Sequence, residues 1–223
     1  MRTADYEVLR RQMLAEISAA TVQVSGLIGK AVLNERVMAA MGKVARHEFV
    51  PVELQPYAYA NLPHPFGFNK TISQPFIVAL MDRLISAPMT LSSRSALVSA
   101  IRLRSSRSWP GRCTATSLFE ELGQQAKQRL RREGCTNVEL KIANGYHGWS
   151  EHAPFDRVIV TAAPDLIPPP LIHQLKNGGK MVIPAGLPDA QQLVLVDKDS
   201  NGRMTMREVL QVRFSQLEDT EPG

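Results

Sequence analysis

The second half of the chain alternates β-branched runs with amphipathic segments, and this alternation constrains the fold more than any other feature. Residues 157–161 (RVIVT) form a β-branched run that is typical of a strand buried in a parallel sheet. Residues 120–134 repeat leucine and alanine at helical spacing and end in glycine, which predicts an amphipathic helix. Further strands are predicted at 138–142, 180–183, 192–197 and 206–214. A short helix is predicted at 171–176, ended by Asn177-Gly178-Gly179. This order predicts an α/β sheet with an antiparallel C-terminal edge.

The first third of the chain is predicted to be mainly helical. Apolar residues within 6–45 recur every three or four positions, with charged residues between them. A loop rich in proline, glycine and asparagine follows at 56–74, and a further helix is expected over 75–85, because proline suits the first position of a helix. We therefore expect an N-terminal helical segment over 1–55 and one compact domain over 56–223.

Composition indicates a cytoplasmic enzyme. No apolar run approaches the roughly 18 residues that cross a bilayer, and the charged N-terminus lacks the apolar core of a signal peptide. The two cysteines, Cys113 and Cys135, are too few for a disulfide framework. The five histidines show no metal-ligand spacing, and neither cysteine lies beside one. We expect no metal, no membrane partner and a monomeric protein.

The segment TISQPFIVALM at 71–81 brings a hydroxyl, that of Ser73, to the start of a predicted helix. A helix N-terminus has unpaired backbone N–H groups and a positive dipole, which together attract a carboxylate. On spacing alone, a serine at this position more commonly caps the helix. The residues by themselves leave both interpretations open.

Two loops follow predicted parallel strands. Asn144 and Gly145 open the loop after strand 138–142, and small residues follow the run 157–161. Because the carboxyl ends of parallel strands meet at one edge, where open α/β sheets bind ligands, we expect both loops at a binding edge. Asn144-Gly145 fits a simple turn equally well.

Six segments carry a resemblance to a known family, in the order RVMAAMGKVARHEFVP (36–51), TISQPFIVALM (71–81), NGYHGWSEHAPFD (144–156), VIVTAAP (158–164), QLKNGGKMVIPAG (174–186) and QQLVLVDKD (191–199). They resemble the protein-L-isoaspartate O-methyltransferase family, and the match spans most of residues 30–217. The resemblance implies a Rossmann-like methyltransferase sheet that uses S-adenosylmethionine and no metal. It also implies methyl transfer to the free α-carboxylate of L-isoaspartyl residues in damaged proteins, which is a repair reaction.

The resemblance also implies roles for five residues. Ser73 matches the family's active-site serine, which would orient the incoming carboxylate, itself the nucleophile. Thr71 and Ile72 belong to the loop expected over the cofactor. Asn144 and Gly145 match the family's Asp-Gly pair near the adenine, where asparagine keeps an acceptor oxygen but loses a charge.

The stretch 84–119 departs from the pattern that the resemblance implies. A first strand, a glycine-rich turn that approaches the cofactor and an acid that holds the ribose hydroxyls are expected there. The chain instead has five arginines within 94–112, no acidic residue and no glycine before Gly111. Without these arginines the formal net charge of +5 would fall to zero, so the basic character is local. We therefore expect residues 84–119 to be aberrant for the family.

A compensated shift of the reading frame would account for this stretch. If residues 92–102 are written in GC-rich codons and read one base earlier, the same DNA encodes VLEIGTGLGYQ, a glycine-rich motif. Residues 103–115 then give AAVLAELAGxVYS, and Ser117 becomes the glutamate expected to hold the ribose. Family-like sequence resumes by Glu120. Our hypothesis is a frameshifted glycine-rich motif at about residues 92–119.

Three functions remain open from the sequence. The first is an active isoaspartyl methyltransferase. The second is a methyltransferase-like protein that binds no S-adenosylmethionine measurably, because residues 92–119 are out of frame. The third is nucleic-acid binding through the same arginine- and serine-rich stretch, since basic segments neutralise phosphates. Only Trp109 could stack on a base there, and the rest of the chain is neutral, so we expect no nucleic-acid partner.

Overall fold

The structure, a computed structural model, describes residues 3–29, 31–67, 70–85, 95–99, 112–132 and 134–219. Contacts along the chain group it into two compact units, Met1–Arg83 and Leu84–Gly223. The boundary predicted between residues 55 and 56 falls inside the first unit and stays a prediction about domains. In the described ranges, no helix combines the length and apolar content that crossing a bilayer requires.

In the described part of the first unit, helices precede a hairpin and a further helix. The side chains of Met13, Ile17, Val37 and Met41 are buried, which confirms the helical region predicted within residues 6–45. The elements are α1 (Thr3–Gln23), α2 (Ser25–Ile28), α3 (Glu35–Lys43), two 3-10 turns (Arg46–Phe49 and Val52–Tyr57), β1 (His64–Gly67), β2 (Lys70–Ile72) and α4 (Pro75–Ile85).

The second unit is built around one sheet. Its described elements are β3 (Ser95–Ser99), β4 (Arg112–Ser117), α5 (Glu120–Arg132), β5 (Val138–Ile142), β6 (Phe155–Ile159), α6 (Pro169–His173), β7 (Leu175–Ala185), β8 (Gln192–Lys198) and β9 (Met204–Gln211). The strands among these residues lie in the order β5-β4-β3-β6-β7-β8-β9. Pairing is parallel from β5 through β7 and antiparallel for β8 and β9. The predicted α/β sheet with an antiparallel C-terminal edge is confirmed.

Two predicted element boundaries are wrong near α6. The helix predicted at 171–176 lies at Pro169–His173, because prolines occupy its first two positions and proline favours the first turn. The sequence Asn177-Gly178-Gly179, predicted to end that helix, lies instead within β7. There the register against β6 shifts, and Gly178 has a φ of 79°, which glycine adopts without steric cost.

The stretch 84–119 is described only in part. Its described strands β3 and β4 pair with each other in parallel, and β3 also pairs with β6, so β3 lies inside the sheet. Ser117 ends β4, the position where the shifted frame would place a glutamate. The remaining parts of the motif hypothesised at 92–119, at 92–94 and 100–111, lie outside the described residues.

A buried arginine binds backbone carbonyls at the start of β6. Arg157 is 8% exposed, and its Nε donates to the carbonyl of Ile85 at 2.7 Å. Its Nη1 donates to the carbonyl of Asp156 at 2.7 Å. Burial lowers the pKa of Arg157, and the charges of Asp156 and Asp197 partly offset this effect. The guanidinium therefore satisfies acceptors that would otherwise be buried without a donor.

Replacing Arg157 with methionine is expected to lower the free energy of unfolding by about 2–4 kcal/mol, because each carbonyl left without its donor costs about 1–3 kcal/mol. Urea denaturation measures this change. Arg213→Met removes an arginine whose side chain is 83% exposed, and it should stay within about 0.5 kcal/mol of the unchanged chain. Equal stability of the two variants would contradict the proposed role of Arg157.

Candidate cofactor and substrate site

The five residues singled out from the sequence fall into two groups. Thr71, Ile72 and Ser73 lie together in the first unit, at the end of β2 and just before α4. Asn144 and Gly145 lie together in the second unit, directly after β5. Each group is contiguous in the chain, and each stands where a strand ends.

The hydroxyl of Ser73 does not cap the helix that follows it. The cap comes from Asn61, whose Oδ1 accepts the N–H of Phe76 at 2.9 Å. Gln74 supports the same arrangement, because its Nε2 donates to the carbonyl of Asn61 at 2.8 Å and its own carbonyl accepts the N–H of Val78 at 3.1 Å. No hydrogen bond reaches the Ser73 hydroxyl from the described residues. The half-buried Ser73 therefore keeps its hydroxyl available for a ligand, whereas the Phe76 N–H at the helix start is already used.

A buried arginine holds the backbone of Ser73. Arg46 is 7% exposed; its Nε donates to the carbonyl of Ala58 at 2.7 Å, and its Nη2 donates to the carbonyl of Ser73. These partners lie 12 and 27 positions along the chain from Arg46. One side chain thus ties the loop before the hairpin to the segment that bears the serine.

The charge on Arg46 persists despite burial. Desolvation lowers its pKa to about 10, and the nearby Tyr59 acts in the opposite direction. At neutral pH the guanidinium is therefore still protonated. The pKa of His64 is lowered by its burial and by the charge of Arg46. His64 Nε2 is buried and has no hydrogen-bond partner among the described residues, so a neutral imidazole is favoured beside the arginine.

Aromatic and basic side chains surround Tyr59. His47 Nδ1 lies 2.8 Å from the Tyr59 hydroxyl, and Arg10 Nη2 donates to the same oxygen at 3.1 Å. The ring of Tyr6 stacks on His47 at a centroid distance of 3.8 Å. These contacts attach α1 to the residues around Arg46, so the N-terminal helix supports the position of the serine segment.

In the second unit, Asn144 and Gly145 lie at the carboxyl edge of the sheet. The Ala143 N–H donates to the carbonyl of Ser117 at 2.9 Å, which joins the ends of β4 and β5. A Cβ atom on Gly145 would lie 3.2 Å from Thr116 Oγ1. Since ligands of open α/β sheets bind beyond the carboxyl ends of the strands, this edge has the geometry of a cofactor site.

The loop that begins at Asn144 is fixed by Gln174. The Oε1 of Gln174 accepts the N–H of Trp149 at 2.8 Å, and its Nε2 donates to the carbonyl of His147 at 2.8 Å. Gly148 has a φ of 67°, and a Cβ there would lie 2.3 Å from Gln174 Oε1. Only glycine suits this position, for both conformational and steric reasons.

Sequence reasoning did not assign a role to Arg46, Gln174 or Asp219. Asn144 Nδ2 donates to Asp219 Oδ1 at 2.9 Å across 75 positions of the chain. Arg46 lies in one of the segments that resemble the family, and this is the one signal that could have singled it out. The contacts of Gln174 and Asp219 join residues far apart in the sequence, and no local pattern indicates them.

Comparisons with known proteins agree on one family. The profile described as protein-L-isoaspartate(D-aspartate) O-methyltransferase matches residues 23–222. Protein-L-isoaspartate O-methyltransferase 1 of Polaromonas sp. strain JS666 is 55% identical over 232 residues, which cover 100% of this chain and 95% of the relative. Protein-L-isoaspartate O-methyltransferase 2 of Syntrophobacter fumaroxidans is 44% identical, with 95% of this chain and 87% of the relative covered.

Solved structures show the same fold. A protein-L-isoaspartate O-methyltransferase superposes with a TM-score of 0.76 at 21% identity, covering 96% of this chain and 67% of its own. A putative protein-L-isoaspartate O-methyltransferase from Plasmodium falciparum, in complex with S-adenosyl-L-homocysteine, gives a TM-score of 0.75 at 18% identity, covering 95% and 99%. By profile, sequence and fold, the chain belongs to the protein-L-isoaspartate O-methyltransferase family.

Proposed function

We propose that this protein transfers the methyl group of S-adenosylmethionine to the free α-carboxylate of L-isoaspartyl residues in damaged proteins. The observation that supports this most strongly is the family match over residues 23–222, which includes both groups of candidate site residues. The hydroxyl of Ser73, to which no described residue forms a hydrogen bond, agrees with it, since a substrate carboxylate needs a hydrogen-bond donor.

The reaction needs no proton transfer. A carboxylate oxygen attacks the methyl carbon of the sulfonium, so the C–O bond forms as the C–S bond breaks, and S-adenosylhomocysteine leaves. One negative and one positive charge disappear together, which favours a site that excludes water and aligns the two reactants. The amide nitrogen of the residue that follows then attacks the methyl ester, methanol leaves, and a succinimide forms. The task of the protein is therefore to position the reactants.

Each candidate residue has a role in this proposal. Ser73 donates its hydroxyl to one oxygen of the substrate carboxylate and thereby directs the other toward the methyl group. Thr71 and Ile72 cover the cofactor. Asn144 and Gly145 bind it near the adenine, where the absent side chain of Gly145 permits close approach. S-adenosylmethionine supplies the activated methyl group when bound.

The proposed setting is the cytoplasm, with damaged proteins and peptides as the partners, no nucleic-acid or membrane partner and a monomeric enzyme. The two cysteines support this setting, since Cys113 and Cys135 are both buried thiols. Thiols persist in a reducing compartment, whereas secreted proteins of this size commonly form disulfides.

A methyl-transfer assay tests the function with two chains. One has the present amino-acid sequence and is called the chain as written. The other, the restored chain, carries the residues of the shifted reading frame: VLEIGTGLGYQ at 92–102, AAVLAELAG at 103–111, VYS at 113–115 and the change Ser117→Glu. Labelled methyl groups should be transferred to a peptide that contains L-isoaspartate, and not to the otherwise identical peptide that contains L-aspartate. Transfer by either chain supports the function, and transfer by neither chain to any peptide would overturn it.

Replacing Ser73 with alanine, in whichever of the two chains is active, is expected to lower kcat about 10- to 100-fold. The change removes one hydrogen bond to a charged group, which contributes about 1.5–3 kcal/mol. Ser18→Ala is the matched control, because Ser18 is exposed and its hydroxyl donates to the carbonyl of Leu14 in its own helix. If both variants keep full activity, Ser73 does not orient the substrate.

A further inference from the structure

The chain returns to the carboxyl edge of the sheet after β9. The N–H of Ala163 donates to the carbonyl of Ser215 at 2.8 Å, and the N–H of Leu217 donates to the carbonyl of Ala163 at 2.9 Å. Leu217 packs against the hydrophobic core, and its Cδ1 lies 3.9 Å from the point where Gly145 would bear a Cβ. The segment 215–219 thus joins the loop after β6 to the loop after β5.

The side chain of Asn144 has a fixed orientation in this arrangement. Its Oδ1 accepts the N–H of Tyr146 at 2.9 Å, so its amide nitrogen must point the other way. There Nδ2 donates to Asp219 Oδ1 at 2.9 Å. Asn144 is 8% exposed, and a buried amide whose donor and acceptor are both used cannot rotate without losing both bonds.

Among the described residues, Asp219 contacts the side chains of Asn144 and His147. His147 Nε2 lies 3.5 Å from Asp219 Oδ1, but the two side chains are 63% and 55% exposed, so solvent screens this pair. The bond to Asn144 is the shorter contact and involves a buried partner. It is therefore the contact through which Asp219 can fix the loop.

We propose that Asp219 is a positioning residue for the cofactor. Through Asn144 it fixes the loop 144–148, so that binding of S-adenosylmethionine depends on the C-terminal segment. This inference rests on the proposed function, because it takes Asn144 and Gly145 as cofactor-binding residues. It assigns no direct contact between Asp219 and the ligand.

The pair allows a test by exchange of its two side chains. Asn144→Asp opposes two carboxylates at hydrogen-bond distance and should weaken binding of S-adenosylhomocysteine about tenfold, the effect of losing one charge-assisted hydrogen bond. Adding Asp219→Asn restores a carboxylate–amide bond with the partners reversed, and the affinity should return to within about threefold of the parent. Calorimetry on the full chain, as written and restored, measures the affinities, and urea denaturation follows stability in parallel.

A further variant and a control separate the outcomes. Asp219→Ala should weaken binding about three- to tenfold, whereas Asp189→Ala, at a side chain that is 95% exposed, should not. Full affinity in Asp219→Ala, or no recovery in the exchanged pair, would overturn the inference even if stability changes. If the parent chains bind no S-adenosylhomocysteine at all, the proposed function fails and this inference fails with it.

Discussion

The restored chain is expected to bind S-adenosylhomocysteine at least about 100-fold more tightly than the chain as written. Its glycines allow backbone N–H groups to approach the cofactor, and its glutamate at position 117 accepts bonds from the ribose hydroxyls. Each bond to a charged group contributes about 1.5 kcal/mol or more, and two of them correspond to about a hundredfold in affinity. Titration calorimetry measures the difference.

The structure supports the position of that glutamate. Ser117 ends β4, and its carbonyl accepts the N–H of Ala143, next to Asn144 and Gly145. A carboxylate at 117 would therefore start from the same edge of the sheet as the proposed adenine residues. As a control, Ser117→Glu in the chain as written supplies the acid without the glycines and should recover only part of the affinity. Equal binding by the written and restored chains would overturn the frameshift hypothesis.

Replacing Arg46 with methionine is expected to lower kcat about 100-fold in the chain that is active, because the guanidinium holds the backbone of Ser73 and a misplaced catalytic group costs about that much. The effect on stability should be smaller. Two carbonyls lose a donor, at about 1–3 kcal/mol each. Burial lowers the pKa of Arg46 to about 10. Removing this buried cation therefore recovers about 3 kcal/mol of desolvation cost in the folded state at neutral pH.

Two variants complete this test. Arg46→Lys keeps the positive charge on a single nitrogen but loses the planar guanidinium that reaches both carbonyls, so partial activity is expected. Arg36→Met changes an exposed arginine in the same unit and should leave both kcat and stability unaltered. Circular dichroism measures the fraction of folded protein in each variant. If the loss of activity is no larger than the loss of folded protein, Arg46 has no positioning role.

The sheet could be predicted from local sequence, because β-branched runs and helical spacing are properties of short windows. The run at 157–161 corresponds to β6 at Phe155–Ile159, and the helix predicted at 120–134 ends at Arg132. The start predicted for α6 at residue 171 is wrong, because the helix begins at Pro169 with prolines in its first two positions. The error at β7 arose where Asn177-Gly178-Gly179 formed an irregular part of a strand instead of a helix end.

The candidate site was predictable only in its contiguous parts. The place of Ser73 before the helix predicted at 75–85, and of Asn144-Gly145 after the strand predicted at 138–142, followed from the sequence. The strand β2 that ends before Ser73 was not predicted, because it lies within the loop expected at 56–74. Helix capping by Ser73 is one of the two interpretations that local sequence leaves open, but Asn61 caps the helix from an earlier loop. Arg46 and Asp219 act through contacts 27 and 75 positions away. Such pairs form only when the fold brings distant segments together, and composition or spacing does not indicate them.

The pairing of residues 215–217 with Ala163 has a consequence for biosynthesis. A chain emerging from the ribosome presents its N-terminal segments first, so the sheet through β9 can form before residues 215–219 are available. Because Ser215 and Leu217 both bond to Ala163, the edge of the sheet closes only after that segment has been synthesised. A translation product that stops before residue 215 would have all the described strands of the sheet, but its carboxyl edge would lack the bonds from Ser215 and Leu217 to Ala163. Synthesis of residues 215–219 is thus a late step in assembling the site.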